Sequence, residues 1–141
     1  MDSATIRRVW LPLALALIAI GYMYKVAPGP HDWARLLGLV LALMGLAGVI
    51  VSRYTLGRSF SIVPKATALV TTGIYSRIRN PIYVSGMFFL AGMVLIIRKP
   101  ALLAFALVLI PIQIFRARRE AAVLEAQFGD AYREYRKRTW F

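Results

Sequence analysis

Apolar residues in this chain come in long runs with little two-residue alternation. Four stand out: Val9 to Val26, Ala34 to Ser52, Ile82 to Ile97 and Ala101 to Phe115. Runs this long predict helices, and the first two are long enough to cross a hydrocarbon core of about 30 Å. At about 1.5 Å per residue the last two span roughly 24 Å each. They are therefore expected to form a short helical hairpin turned at Arg98-Lys99-Pro100, with Arg98 and Lys99 snorkelling outward. Arg7 and Arg8 precede the first run as in a signal peptide. However, that run is long, carries Trp10, Tyr22 and Tyr24, and lacks a clean small-residue cleavage site, so a transmembrane helix is the better reading. The expectation is an all-α polytopic membrane protein, a single domain over residues 1–141, with about four transmembrane helices near 9–26, 34–52, 82–97 and 101–128.

Polar segments punctuate these runs. Ala27-Pro28-Gly29-Pro30-His31-Asp32 is rich in turn formers and reads as a tight loop. Gly38, Ala42, Gly45 and Gly48 place small residues along the second helix, where they allow close helix packing or, alternatively, a groove for a lipid tail. A polar, aromatic and basic connector runs from Arg53 to Tyr83. The charged tail from Arg116 is expected to stay helical to about Phe128. There Gly129 suits a helix C′ position and Asp130 an N-cap for a final short helix carrying Tyr132 and Tyr135. No internal repeat is visible.

Charge fixes an orientation. The formal net charge is +12, which by itself suits nucleic acid. The basic residues flank apolar runs, though, where the positive-inside rule and anionic lipid account for them, so no nucleic-acid partner is expected. Fourteen of the 18 Lys and Arg residues fall before the first run, in the connector or in the tail. Only Lys25, Arg35, Arg98 and Lys99 fall on the other side. With four helices, both termini and the connector are then cytoplasmic. The absence of cysteine excludes disulfides and thiolate chemistry, and His31 is the single histidine, so no metal site is expected.

Two groups of residues could carry chemistry. Gln113, Arg116 and Glu120 stand at i, i+3 and i+7 and share one helix face where the chain leaves the membrane. An Arg116–Glu120 surface pair would produce the same spacing. Tyr75, Arg79 and Tyr83 recur at i+4, a pattern that an interfacial aromatic-and-arginine belt also shows.

Leu69-Val70-Thr71-Thr72-Gly73-Ile74-Tyr75-Ser76-Arg77-Ile78-Arg79-Asn80-Pro81-Ile82-Tyr83 resembles the signature Leu-Val-x-x-Gly-x-Tyr-x-x-x-Arg-His-Pro-x-Tyr. That signature belongs to the integral-membrane methyltransferases related to isoprenylcysteine carboxyl methyltransferase and phospholipid N-methyltransferases. Glu120, Leu124, Phe128-Gly129, Tyr132 and Tyr135 are similar to the C-terminal signature of the same proteins. The resemblance covers roughly Leu56 to Arg138 and implies S-adenosylmethionine as cofactor. It puts cofactor binding on Thr67, Ala68, Leu69, Val70, Tyr75, Arg79, Asn80, Pro81, Ile82, Tyr83 and Glu120. Arg116 becomes the substrate-binding residue, and Arg116 and Glu120 the catalytic pair.

Two positions depart from the pattern: Asn80 replaces a histidine and Ala121 replaces a second glutamate. Asn80 can still hydrogen-bond an adenine edge but cannot titrate. The implied partners are a lipophilic or lipidated acceptor and the membrane lipids. Two other readings stand beside this one. The first is an NADPH-dependent membrane reductase for sterol-like or polyprenoid substrates, which shares part of the C-terminal pattern. The second is a non-enzymatic relative, suggested by Asn80 and Ala121.

Overall fold

A computed structural model describes residues 11–56 and 69–141. Among these residues the chain forms four α-helices and no named strand: α1 (Leu11–Val26), α2 (Trp33–Leu56), α3 (Pro81–Ile97) and α4 (Pro100–Arg138). A short 3₁₀ turn at Gly73–Ser76 lies in the connector. The expected residues Val9 and Trp10 of the first helix lie outside the described residues.

Proline and glycine set the boundaries. Pro81 and Pro100 open α3 and α4, where a missing N–H is no loss. Arg98 closes α3 in the left-handed conformation (φ 54°, ψ 31°), and its N–H bonds the Val94 carbonyl at 2.9 Å. The turn between the two helices is thus as short as the sequence suggests. α4 runs ten residues beyond the expected end at Phe128, but it does so through a break at Gly129 (φ 49°, ψ −121°). A positive φ is cheap only for glycine, so the expected junction exists there as a kink in one long helix.

Two of the helices, α2 and α4, are long and apolar enough to cross a membrane; α1 and α3 are shorter apolar helices. α3 packs chiefly on α2, and far less on α4, its hairpin partner in sequence. The small residues of α2 explain this. A Cβ on Gly45 would stand 2.6 Å from the Ser85 carbonyl oxygen, and one on Gly38 2.9 Å from that of Gly92. The stripe is therefore a close helix–helix contact and holds no lipid groove. Ile20 of α1, Ala42 and Ile96 form the core at this junction. α4 by contrast turns Leu107, Val108 and Phe115 outward, with Leu107 71% exposed. An apolar face of this kind suits hydrocarbon as its neighbour.

The end of the molecule away from the connector is tied by Arg35, which is fully buried. The chain turns at Gly29 (φ 99°), so that the carbonyls after α1 face the guanidinium. Arg35 donates to the carbonyl oxygens of Tyr24 (3.3 Å), Ala27 (2.9 Å) and Pro28 (2.6 Å), and its Nη1 lies 3.3 Å from His31 Nε2. Asp32 accepts the Arg35 backbone N–H at 3.1 Å and caps α2. It also pairs with Arg98 of the α3–α4 turn, which holds its carboxyl below the usual carboxylate range. By charge Arg35 is one of four basic residues on the far side; the structure makes it an internal tie.

Candidate functional site

Asn80 and Pro81 stand where the connector becomes α3, and Gln113, Arg116 and Glu120 where α4 leaves its apolar run. The two regions meet. Tyr83 Oη donates to Glu120 Oε2 at 3.2 Å across 37 positions of sequence. A cavity of about 220 Å³ opens around this bond. Its connector and α3 side consists of Tyr75, Arg79, Asn80, Pro81, Ile82 and Tyr83. Its α4 side consists of Gln113, Arg116 and Glu120, and Leu56 at the end of α2 completes the wall.

The connector keeps its shape through backbone contacts. The 3₁₀ turn closes with Tyr75 N–H on the Thr72 carbonyl at 3.1 Å, and Ile78 N–H reaches the Ile74 carbonyl at 3.1 Å. Tyr135, beyond the Gly129 kink, donates its hydroxyl to the Tyr75 carbonyl at 2.8 Å. The last residues then strap the segment. Arg79 N–H bonds the Trp140 carbonyl (3.1 Å), Asn80 N–H bonds the Phe141 carbonyl (2.9 Å), and Trp140 N–H bonds the Arg77 carbonyl (3.1 Å). With backbone groups satisfied from outside, the side chains of Tyr75, Arg79 and Asn80 can line the cavity. Asn80 occupies the N-cap position of α3, yet its side chain makes no capping bond, which leaves the amide to the cavity.

The electrostatics follow from burial. Glu120 lies five residues beyond Phe115, past the apolar run. Burial raises its carboxyl pKa, while the Tyr83 hydroxyl and the Arg116 charge act in the opposite sense. Burial also raises the Tyr75 hydroxyl pKa, with the Glu120 charge adding to the effect. Tyr135 is pushed up to about 12, chiefly by burial. Tyr75 and Tyr135 thus stay uncharged at neutral pH, and the Tyr135 hydroxyl keeps the proton it donates to the connector. A half-buried carboxylate held by a phenol and near Arg116, with an amide and aromatic faces around the cavity, has the chemistry to receive a cationic group.

Of the residues expected from sequence, the structure brings together Tyr75, Arg79, Asn80, Pro81, Ile82, Tyr83, Arg116 and Glu120. Leu69 and Val70 are half-buried and precede the 3₁₀ turn, outside this lining. Thr67 and Ala68 lie outside the described residues. Sequence reasoning placed Gln113 on the correct face but gave it no role, and it missed Leu56. It also missed Tyr135 as a clamp and the Trp140–Phe141 strap, since backbone pairing leaves no side-chain signal. Among the described residues, no cluster of His, Cys, Asp and Glu could hold a metal ion.

Fold and site together define a helical membrane-type protein with a charged, aromatic cavity where the connector and the emerging α4 meet. The chain belongs to the phospholipid methyltransferase family, whose profile matches residues 33–131. The match runs from the start of α2 past the Gly129 kink and contains every residue lining the cavity. Comparison with curated proteins gave no match. The family implies methyl transfer to a lipid-like acceptor at a membrane, which is favoured over the reductase alternative.

Proposed function

We propose that the protein is an integral-membrane, S-adenosylmethionine-dependent methyltransferase that modifies a lipophilic acceptor at the cytoplasmic face of a multi-pass helical domain. The observation that carries this reading is the Tyr83–Glu120 bond, which joins two motifs far apart in sequence into one cavity. The donor set suits such a cofactor. Glu120 offers a carboxylate to an ammonium group, Arg79 a guanidinium to a carboxylate, and Asn80 an amide to a nucleobase edge, with Tyr75 and Tyr83 as aromatic walls. Thr67, Ala68, Leu69 and Val70 would extend this wall along the chain before the 3₁₀ turn.

When bound, the cofactor supplies a methyl group on a sulfonium. The protein's task is then alignment and exclusion of water, and it needs few ionisable groups. Glu120 is held by Tyr83 in the orientation that receives a cation. Arg116, one turn deeper on the same face, binds the anionic part of the acceptor, such as an isoprenylcysteine carboxylate or a lipid headgroup phosphate. Leu56, Pro81 and Ile82 keep the reacting region apolar. Asn80 cannot take up a proton at neutral pH, so this site works by binding and orientation.

Titration calorimetry of the detergent-purified protein with S-adenosylhomocysteine tests the cofactor. Transfer of labelled methyl from S-adenosylmethionine into membrane lipid extracts, followed by product mass, tests the reaction. Binding together with a product heavier by one methyl group is expected. A properly folded protein that binds no S-adenosylhomocysteine would overturn the reading.

A further inference from the structure

Gln113 belongs to neither sequence motif, yet it lines the cavity beside Arg116. It sits within the apolar part of α4, between Ile112 and Ile114, which are 46% and 37% exposed. The Gln113 side chain instead turns toward α3. Its Nε2 lies 4.0 Å from the point that a Cβ on Gly86 would occupy, and among the described residues no other helix comes as near to that point. A polar amide within an apolar run is unfavourable when it has no partner, so such groups face protein or a polar ligand.

The antiparallel course of α3 and α4 gives the cavity a graded lining. Glu120 is farthest along α4 from its apolar run, Arg116 lies beside Tyr83, and Gln113 lies within the run opposite Gly86. Gln113 is three residues before Arg116, about 4.5 Å deeper along the helix. Opposite it Gly86 presents no side chain, and α3 packs far less on α4 than on α2. An amphiphile seated here therefore meets a guanidinium, then a neutral amide one helical turn deeper, then hydrocarbon. A glycerophospholipid presents its groups in that order: phosphate, acyl ester, acyl chain. A prenyl thioether offers no oxygen acceptor at the second level.

Building on the methyltransferase reading above, we infer that Gln113 is a specificity-determining residue. Its amide donates to an acyl ester carbonyl of a glycerophospholipid acceptor whose phosphate is held at Arg116.

The test uses lipid binding and needs no cofactor. The full chain in detergent is offered equal amounts of diacyl phosphatidylethanolamine and its dialkyl-ether counterpart of matched chain length, and retained lipid is counted by native mass spectrometry. The wild type should retain the diacyl form about fivefold better, the factor that one neutral hydrogen bond is worth. Gln113→Leu should bind both forms at the level of the ether lipid. Gln113→Met serves if the leucine variant does not fold. Equal retention of the two lipids by the wild type, or an undiminished diacyl preference in the variant, overturns the assignment. S-adenosylhomocysteine titration of the same samples separates the two proposals. Its failure would remove the methyltransferase reading, while the ester preference stands or falls on the mass spectra alone.

Discussion

Replacing Glu120 by glutamine separates binding from folding at the centre of the cavity. The substitution keeps the shape of the side chain and an oxygen to accept from Tyr83, 3.2 Å away in the wild type. What it removes is a negative charge whose burial already raises its pKa. Removing a half-buried charge while keeping its hydrogen bond costs the free protein little, so unfolding should shift by less than about 1 kcal/mol. The affinity for S-adenosylhomocysteine should change much more. A hydrogen bond to a charged group is worth about 1.5–3 kcal/mol, which corresponds to a loss of about 10- to 150-fold in Kd.

The pH dependence of this pair has a definite sign. A carboxyl whose pKa is higher in the folded than in the unfolded state favours folding most below the unfolded value, and that contribution is lost as pH rises through the folded value. Cation binding runs the other way, because only the ionised carboxylate attracts an ammonium group. Wild-type affinity should therefore strengthen as pH rises through the raised Glu120 pKa, and the glutamine variant should lack that step. Calorimetry across this range, with thermal unfolding measured on the same samples, checks both. An unchanged Kd in Glu120→Gln would refute the argument. So would a loss of affinity that merely follows a large loss of stability.

Tyr135→Phe leaves the buried Tyr75 carbonyl without its donor and should cost about 1–3 kcal/mol in unfolding, with earlier proteolysis in the connector. Tyr132 is fully buried and its hydroxyl has no hydrogen-bond partner among the described residues. Tyr132→Phe should therefore leave thermal stability unchanged or slightly raised, and a loss above about 1 kcal/mol would show an overlooked partner. Gly45→Ala would put a Cβ 2.6 Å from the Ser85 carbonyl and should destabilise by about 1–3 kcal/mol. Gly21→Ala, with nothing within 4 Å, should be neutral or stabilising in the same denaturation assay. Arg35→Ala strips the carbonyls of Ala27 and Pro28 of their donor and should lower stability by several kcal/mol, without altering S-adenosylhomocysteine affinity in the protein that remains folded.

The helices were legible because apolar runs, prolines and glycines act locally. Pro81, Pro100 and Gly129 mark the boundaries where the structure has them. Helical periodicity also placed Gln113, Arg116 and Glu120 on one face, and all three line the cavity. The meeting of Tyr83 with Glu120 was not available from spacing, since nothing local couples positions 37 apart, and it rested on the family resemblance. Packing partners were harder still. Sequence adjacency suggested α3 on α4, whereas the glycines of α2 allow a closer approach and take α3 instead. Arg35 counted in the sequence only as one of four basic residues on the far side, and its role as a tie left no local signal. Only the reversal of the chain at Gly29 brings carbonyls back to it.

The Arg35 tie also implies an order of assembly. Its contacts reach back only 4 to 11 residues, so α1 and the start of α2 can satisfy it as soon as both have been synthesised. The bonds that shape the cavity span 37 and 60 residues and need the second half of the chain. Early closure of a local loop costs less entropy than late closure of a distant one. The Arg35 contacts can therefore close before the second half of the chain is made. The cavity must wait for Glu120, for Tyr135 and for the Trp140–Phe141 strap.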